Sequence, residues 1–121
     1  ISFESACKEL GLTAKTELPY LKPKNNRQEA ANAFVMLDII VQALLEDSVL
    51  DWADSDQKKW YCWFNNYKSG ACFRFYGSDY GWTDSIAIGG ARLCVDTKEK
   101  ADHLGSKHFI GIWNKFLNPI K

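Results

Sequence analysis

Apolar residues recur at two different spacings along this chain, and the change from one to the other predicts its elements. In the first segment Phe3, Ala6, Cys7 and Leu10 fall at helical spacing, so Ser2 to Leu10 reads as a short helix with Gly11 as its C′ residue. Leu12 to Asn25 holds Pro19 and Pro23 and reads as an extended loop. Asn26 to Glu46 carries the strongest helical pattern. Asn26 is the expected N-cap, with Glu29 three residues on in capping-box spacing. Ala30, Ala33, Phe34, Leu37, Val41 and Leu44 share one wide apolar face. Val35 and Ile39 lie in the middle of the opposite, otherwise polar stripe. Two explanations stay open for them: a helix covered on both sides within the chain, or a candidate interface with a partner or a second copy.

From Trp60 the period becomes two. Trp60 to Asn65 and Cys72 to Gly77 read as strands joined through Ser69-Gly70, and Thr83 to Ile88 and Ala91 to Val95 as two more joined by Gly89-Gly90. Gly77 to Trp82 is rich in Gly and Asp and reads as a surface loop. A last helix begins near Thr97, carries Ala101, Leu104, Phe109, Ile112, Trp113, Phe116 and Leu117 on its apolar stripe, and ends at Pro119. His108 falls on that stripe and reads as a core-edge histidine. The expected fold is therefore α+β in a single globular domain spanning residues 1–121. N-terminal helices precede a four-stranded antiparallel β-meander, and a C-terminal amphipathic helix packs on one sheet face.

Composition sharpens the picture at one place. Of 17 aromatic residues, eleven lie between Trp52 and Trp82. If Phe64 stands opposite Phe73, then Trp60, Cys62, Phe64, Phe73 and Phe75 share the core face of the hairpin. Tyr61, Trp63, Arg74 and Tyr76 share the other, with Trp63 facing Arg74 and Tyr61 facing Tyr76. Such an outer face is either a stable cross-strand arrangement of aromatic and cation–π pairs or a binding platform. A register shifted by one residue would exchange the faces.

Charge and chemistry mostly exclude. Lys+Arg and Asp+Glu are 15 each, so no basic excess supports non-specific nucleic-acid binding. Residues 38–56 hold six acids and no base, and residues 104–121 three bases and no acid, so the field is dipolar. Asp51, Asp54 and Asp56 fail the calcium-loop pattern in both registers, because the required Gly and Glu are missing. Cys7, Cys62, Cys72 and Cys94 form no CxxC, and neither His103 nor His108 lies within five residues of a Cys; no metal site and no cofactor is expected. The thiols are expected buried and reduced. No GxSxG, Walker A, GxGxxG or HExxH occurs. The apolar run Ala33 to Leu45, interrupted by Asp38 and Gln42, is too short to span a bilayer, so no membrane is expected.

Asp51-Trp52, then Gln57-Lys58-Lys59-Trp60-Tyr61-Cys62-Trp63-Phe64, then Gly89-Gly90-Ala91-Arg92-Leu93-Cys94, then Gly105, Phe109, Trp113 and Leu117, carry a resemblance. The sequence resembles a family of small proteins of gut Bacteroidetes and their phages or other mobile elements. Its members show a "PDW…KYYPWF" stretch, then "GSRLCF", then a final amphipathic helix. The opening "SFESACKELGL" is similar to the family's "SFEDACKALGL". Departures are Cys62 where Pro is usual, Ala91 for Ser, and one extra residue around 106–108. The resemblance covers most of the chain, assigns no catalytic residue, and implies a phage or mobile-element protein in the cytoplasm of a bacterial host.

Three function classes follow. The first is a non-enzymatic binding or assembly protein that meets a protein partner through Tyr61, Trp63, Arg74 and Tyr76, or through Val35 and Ile39. The second is a single-stranded nucleic-acid or saccharide binder on the same aromatic face, with zero net charge against nucleic acid. The third is a thiol-dependent enzyme using Cys94 with His103 or His108, for which nothing in the sequence supplies an activated nucleophile.

Overall fold

In the computed structural model, which describes residues 2–68, 72–83 and 90–118, the first helix α1 spans Phe3–Glu9. Ser2 and Ser5 cap it reciprocally: the Ser5 N–H donates to Ser2 Oγ at 3.1 Å and the Ser2 N–H to Ser5 Oγ at 2.7 Å. Its far end is closed by paired bonds from the Leu12 N–H to the Cys7 carbonyl and from the Gly11 N–H to the Lys8 carbonyl. That closure holds Gly11 at a φ of 72°, where a side chain would be strained. The loop expected over residues 12–25 contains one further turn of helix, α2 (Ala14–Glu17).

The long helix α3 spans Asn26–Leu45, one residue out of the expected phase at its start. Asn25, not Asn26, is the N-cap: its side chain accepts from the Gln28 N–H at 2.9 Å, and Gln28 Oε1 accepts from the Lys24 N–H at 2.8 Å. Asn26 instead reaches the Asn118 carbonyl near the other end of the chain, at 3.2 Å. Buried Asn32 fixes the preceding loop with two bonds to Tyr20, accepting from its N–H at 3.0 Å and donating to its carbonyl at 2.7 Å. By length and a mean hydropathy of 1.3, α3 could cross a bilayer; here it lies between α1 and the C-terminal helix as the central core element.

Among the described residues the sheet has two antiparallel strands, β1 (Lys59–Lys68) and β2 (Cys72–Gly81), not the four of a meander. Residues 91–95 are not a strand. Ala91–Leu93 form a turn of 3-10 helix, and Val95 alone bridges to Trp60, with bonds of 2.8 and 2.9 Å in the two directions. The third expected strand lies mostly in residues 84–89, and it, the Ser69-Gly70 connection, Gly89 and Pro119 fall outside the described residues. The expected surface loop at 77–82 is also corrected, because β2 continues through Gly81.

The register differs as well. Phe64 stands opposite Phe75, Asn65 opposite Arg74 and Asn66 opposite Phe73. Beyond Phe64 the pairing jumps, so Trp63 faces Gly77 and Tyr61 faces Asp79, leaving Tyr76 as the extra residue of a β-bulge. Gly77 and Asp79 look like turn residues in the sequence, but Gly in a strand also marks a bulge, and that is its role here.

The helices cover one face of this hairpin. Cys62 and Phe64 are buried there, with Trp60, Phe73 and Phe75 packed beside them, so the expected core face holds. The last helix is divided in two, α4 (Lys98–Leu104) and α5 (Ile110–Leu117), with Thr97 capping α4 through a bond from the Lys100 N–H. The break sits at Gly105, where a Cβ would lie 2.2 Å from the Phe75 ring; α4 approaches the sheet so closely that only a bare Cα fits. Past the break Trp113 is buried against Phe64, ring centres 4.5 Å apart, and its indole N–H donates to the Leu104 carbonyl at 3.0 Å. Asn114 closes the edge of β2: it accepts from the Phe73 N–H at 2.7 Å and donates to the Phe73 carbonyl at 2.9 Å.

Candidate functional site

The face of the hairpin turned away from the helices carries the residues singled out from sequence. Alternation from buried Cys62 and Phe64 places Tyr61 and Trp63 on it, and Arg74 joins them opposite Asn65. Trp63 is 41% exposed and Tyr76, in the bulge, 72% exposed. The expected pairings do not form. Arg74 donates from Nε to Asn65 Oδ1 at 3.0 Å rather than stacking on Trp63. Tyr61 lies 6.1 Å from the Trp63 ring along its own strand instead of meeting Tyr76.

Tyr61 is only 9% exposed, so this end of the face is not open to solvent. Fully buried Lys59 donates from Nζ to the Asp54 carbonyl at 2.7 Å and lies 5.5 Å from the Trp52 ring centre. Burial pushes the Tyr61 phenol above its usual range, and the Asp79 carboxylate adds to the shift. The accessible part of the face is therefore Trp63, Arg74 and Tyr76, with Tyr61 as its sealed margin.

The acidic segment that holds Lys59 uses its carboxylates locally. Asp51 and Asp54 accept from the N–H groups of Ala53 and Asp56, two residues on, at 3.0 and 2.8 Å. Gln57 ties the turn together, accepting from the Asp51 N–H and donating to the Val49 carbonyl.

A second aromatic group went unrecognised in the sequence because residues 77–82 read as a loop. Trp60 and Tyr80 are cross-strand partners with ring centres 4.8 Å apart, and Trp82 stands edge-on to Tyr80 at 5.5 Å. Lys58 Nζ lies 4.5 Å from the Tyr80 ring centre, within cation–π range. The usable signal was the period-two spacing of Tyr80 and Trp82.

The other sequence candidates are placed differently. Ile39 is 4% exposed and belongs to the core, and Val35 is half-buried against it. Cover within the chain is observed for Ile39, while Val35 keeps part of its side chain in solvent. Cys7, Cys62 and Cys94 are buried and free of disulfides. Burial pushes the Cys94 thiol up to about 11 and the Cys62 thiol up to about 12, so both stay protonated at neutral pH. His108 is exposed rather than at the core edge, and it approaches His103, not a thiol, at 5.7 Å between ring centres. Burial, first, and the neighbouring His108 hold the His103 imidazole below its usual range. Among the described residues no three Cys, His, Asp or Glu side chains converge to hold a metal.

No family model, curated protein or solved structure matches this chain.

Proposed function

We propose that this protein is a non-enzymatic binding or assembly module that engages a protein partner through the exposed part of the outer hairpin face, Trp63, Arg74 and Tyr76. The observation that carries the reading is the bulge at Tyr76. An extra residue in a strand costs ladder pairing, and bulges are used where a side chain must be re-aimed. Here the re-aimed side chain is a large aromatic standing in solvent beside an exposed Trp and an Arg. Trp, Tyr and Arg are the residue types that dominate interface energetics when a partner buries them. Zero net charge weighs against a nucleic-acid ligand on the same platform, and the raised thiols weigh against a cysteine nucleophile. The resemblance to Bacteroidetes and phage proteins supports a mobile-element role in a host cytoplasm, with the partner encoded by host or phage.

The test is affinity capture from Bacteroidetes cell extract with wild-type protein, Trp63→Ala, Tyr76→Ala and the control Leu21→Ser, an exposed site elsewhere. One protein retained by wild type and control but lost with both aromatic variants, at nearly unchanged melting temperature, is the expected result. An identical captured set for all four proteins would overturn the reading, as would unfolding of Trp63→Ala.

A further inference from the structure

The geometry points to a two-histidine site for zinc at the junction of α4 and α5, independent of the aromatic face: we propose that His103 and His108 bind one Zn²⁺ through their imidazoles. On a continuous helix, residues five apart point roughly 140° from each other and cannot share a ligand. The break at Gly105 changes this. The chain folds back through a tight turn, the Phe109 and Ile110 N–H groups both donating to the Ser106 carbonyl, at 3.0 and 3.1 Å. The turn brings the two rings to 5.7 Å between centres.

That spacing lies nearer to what a tetrahedral ion needs than to a right-angled pair. With zinc about 2.0–2.1 Å from each nitrogen and each ring centre about 1.1 Å behind it, a tetrahedral angle sets the centres about 5.2 Å apart. A right-angled pair, as square-planar or octahedral ions require, needs about 4.5 Å by the same construction. His103 is half-buried and steadied by the Phe109 ring, edge-on at 5.4 Å, while His108 is exposed and free to close the remaining distance. The nearest carboxylate in sequence, Asp102, is engaged by Lys98 and Ser78 at 2.8 and 2.7 Å, which leaves the other two zinc positions to water or an incoming ligand.

The experiment is calorimetric titration of Zn²⁺ into the chelator-treated chain, alongside His103→Gln, His108→Ala and the double variant, each checked for an unchanged melting curve before titration. Expected is one Zn²⁺ per chain, with affinity reduced at least about tenfold by either single change and no further by the double one. Because His108 is exposed, His108→Ala folds normally and tests the site even if His103→Gln does not. Co²⁺ loading gives a second readout, a d–d spectrum without thiolate charge transfer. Wild-type binding by His108→Ala, absence of stoichiometric Zn²⁺ binding, or a thiolate charge-transfer band would each overturn the proposal.

Discussion

Gly105→Ala is the most informative perturbation of the fold, since it adds one methyl group at the closest approach of helix and sheet. The new Cβ would meet Phe75 Cδ1 at 2.2 Å, Cε1 at 2.5 Å and Cγ at 2.9 Å, where carbon atoms ordinarily rest about 3.5–4.0 Å apart. Gly105 has a φ of −87°, so the alanine backbone is unstrained and the whole penalty is steric. Phe75 has little freedom to retreat, being edge-on to Phe64 at 6.2 Å and opposite it in the sheet. Overpacking of this kind costs about 1–3 kcal/mol, and the stiffer unfolded chain returns about 0.4–1 kcal/mol. Net destabilisation of about 1–2 kcal/mol is expected, read as a lower urea midpoint at unchanged m-value. Phe75→Leu removes the obstructing ring atoms, so the Gly105→Ala penalty should shrink by about 1 kcal/mol or more in the Phe75→Leu background. A Gly105→Ala protein as stable as wild type, or a strictly additive double variant, would refute the placement of α4 against β2.

Two further predictions concern the polar ties. Asn114→Leu strips partners from the Phe73 N–H and carbonyl and should destabilise by about 2–4 kcal/mol, with faster hydrogen exchange at the Phe73 amide as the check. For acid stability, burial alone would raise Asp96, but Lys100 and Ser48 outweigh it and hold the carboxyl below its usual range; Lys98 and Ser78 do the same for Asp102. A carboxylate with a depressed folded pKa stabilises above its unfolded pKa and loses that contribution as pH falls through the folded value. Urea midpoints measured from about pH 7 to pH 2 should therefore fall, and Asp96→Asn should be less stable at neutral pH with a shallower acid decline.

Local rules made part of this legible. Apolar periodicity and capping chemistry placed α1, α3 and the start of α4 to within a residue or so, and alternation from Trp60 gave the right partition of Cys62 and Phe64 from Trp63. The failures share a cause: each depends on a contact distant in sequence. From Phe64 to Asn66 the strands pair two residues out of the expected register, and the bulge at Tyr76 adds one more from Trp63 back to Lys59, offsets that period-two alternation alone does not fix. The need for a glycine where α4 ends comes from the Phe75 ring, thirty positions away. The pairing of Asn114 with Phe73 is likewise invisible to any helical pattern. The candidate face survived in outline because parity alone fixes which side of a strand a residue occupies. Its exposed extent did not, since alternation says nothing of how deeply Tyr61 is buried at one end of the face.

The measurement that bears most directly on the binding account is the affinity of the captured partner for the Trp63→Ala/Tyr76→Ala double variant, titrated beside wild type with both proteins shown folded. Loss of about 2 kcal/mol or more, roughly thirtyfold in Kd, is predicted if these rings are the anchors. Equal affinity for the two proteins would place the partner elsewhere on the molecule and contradict the account.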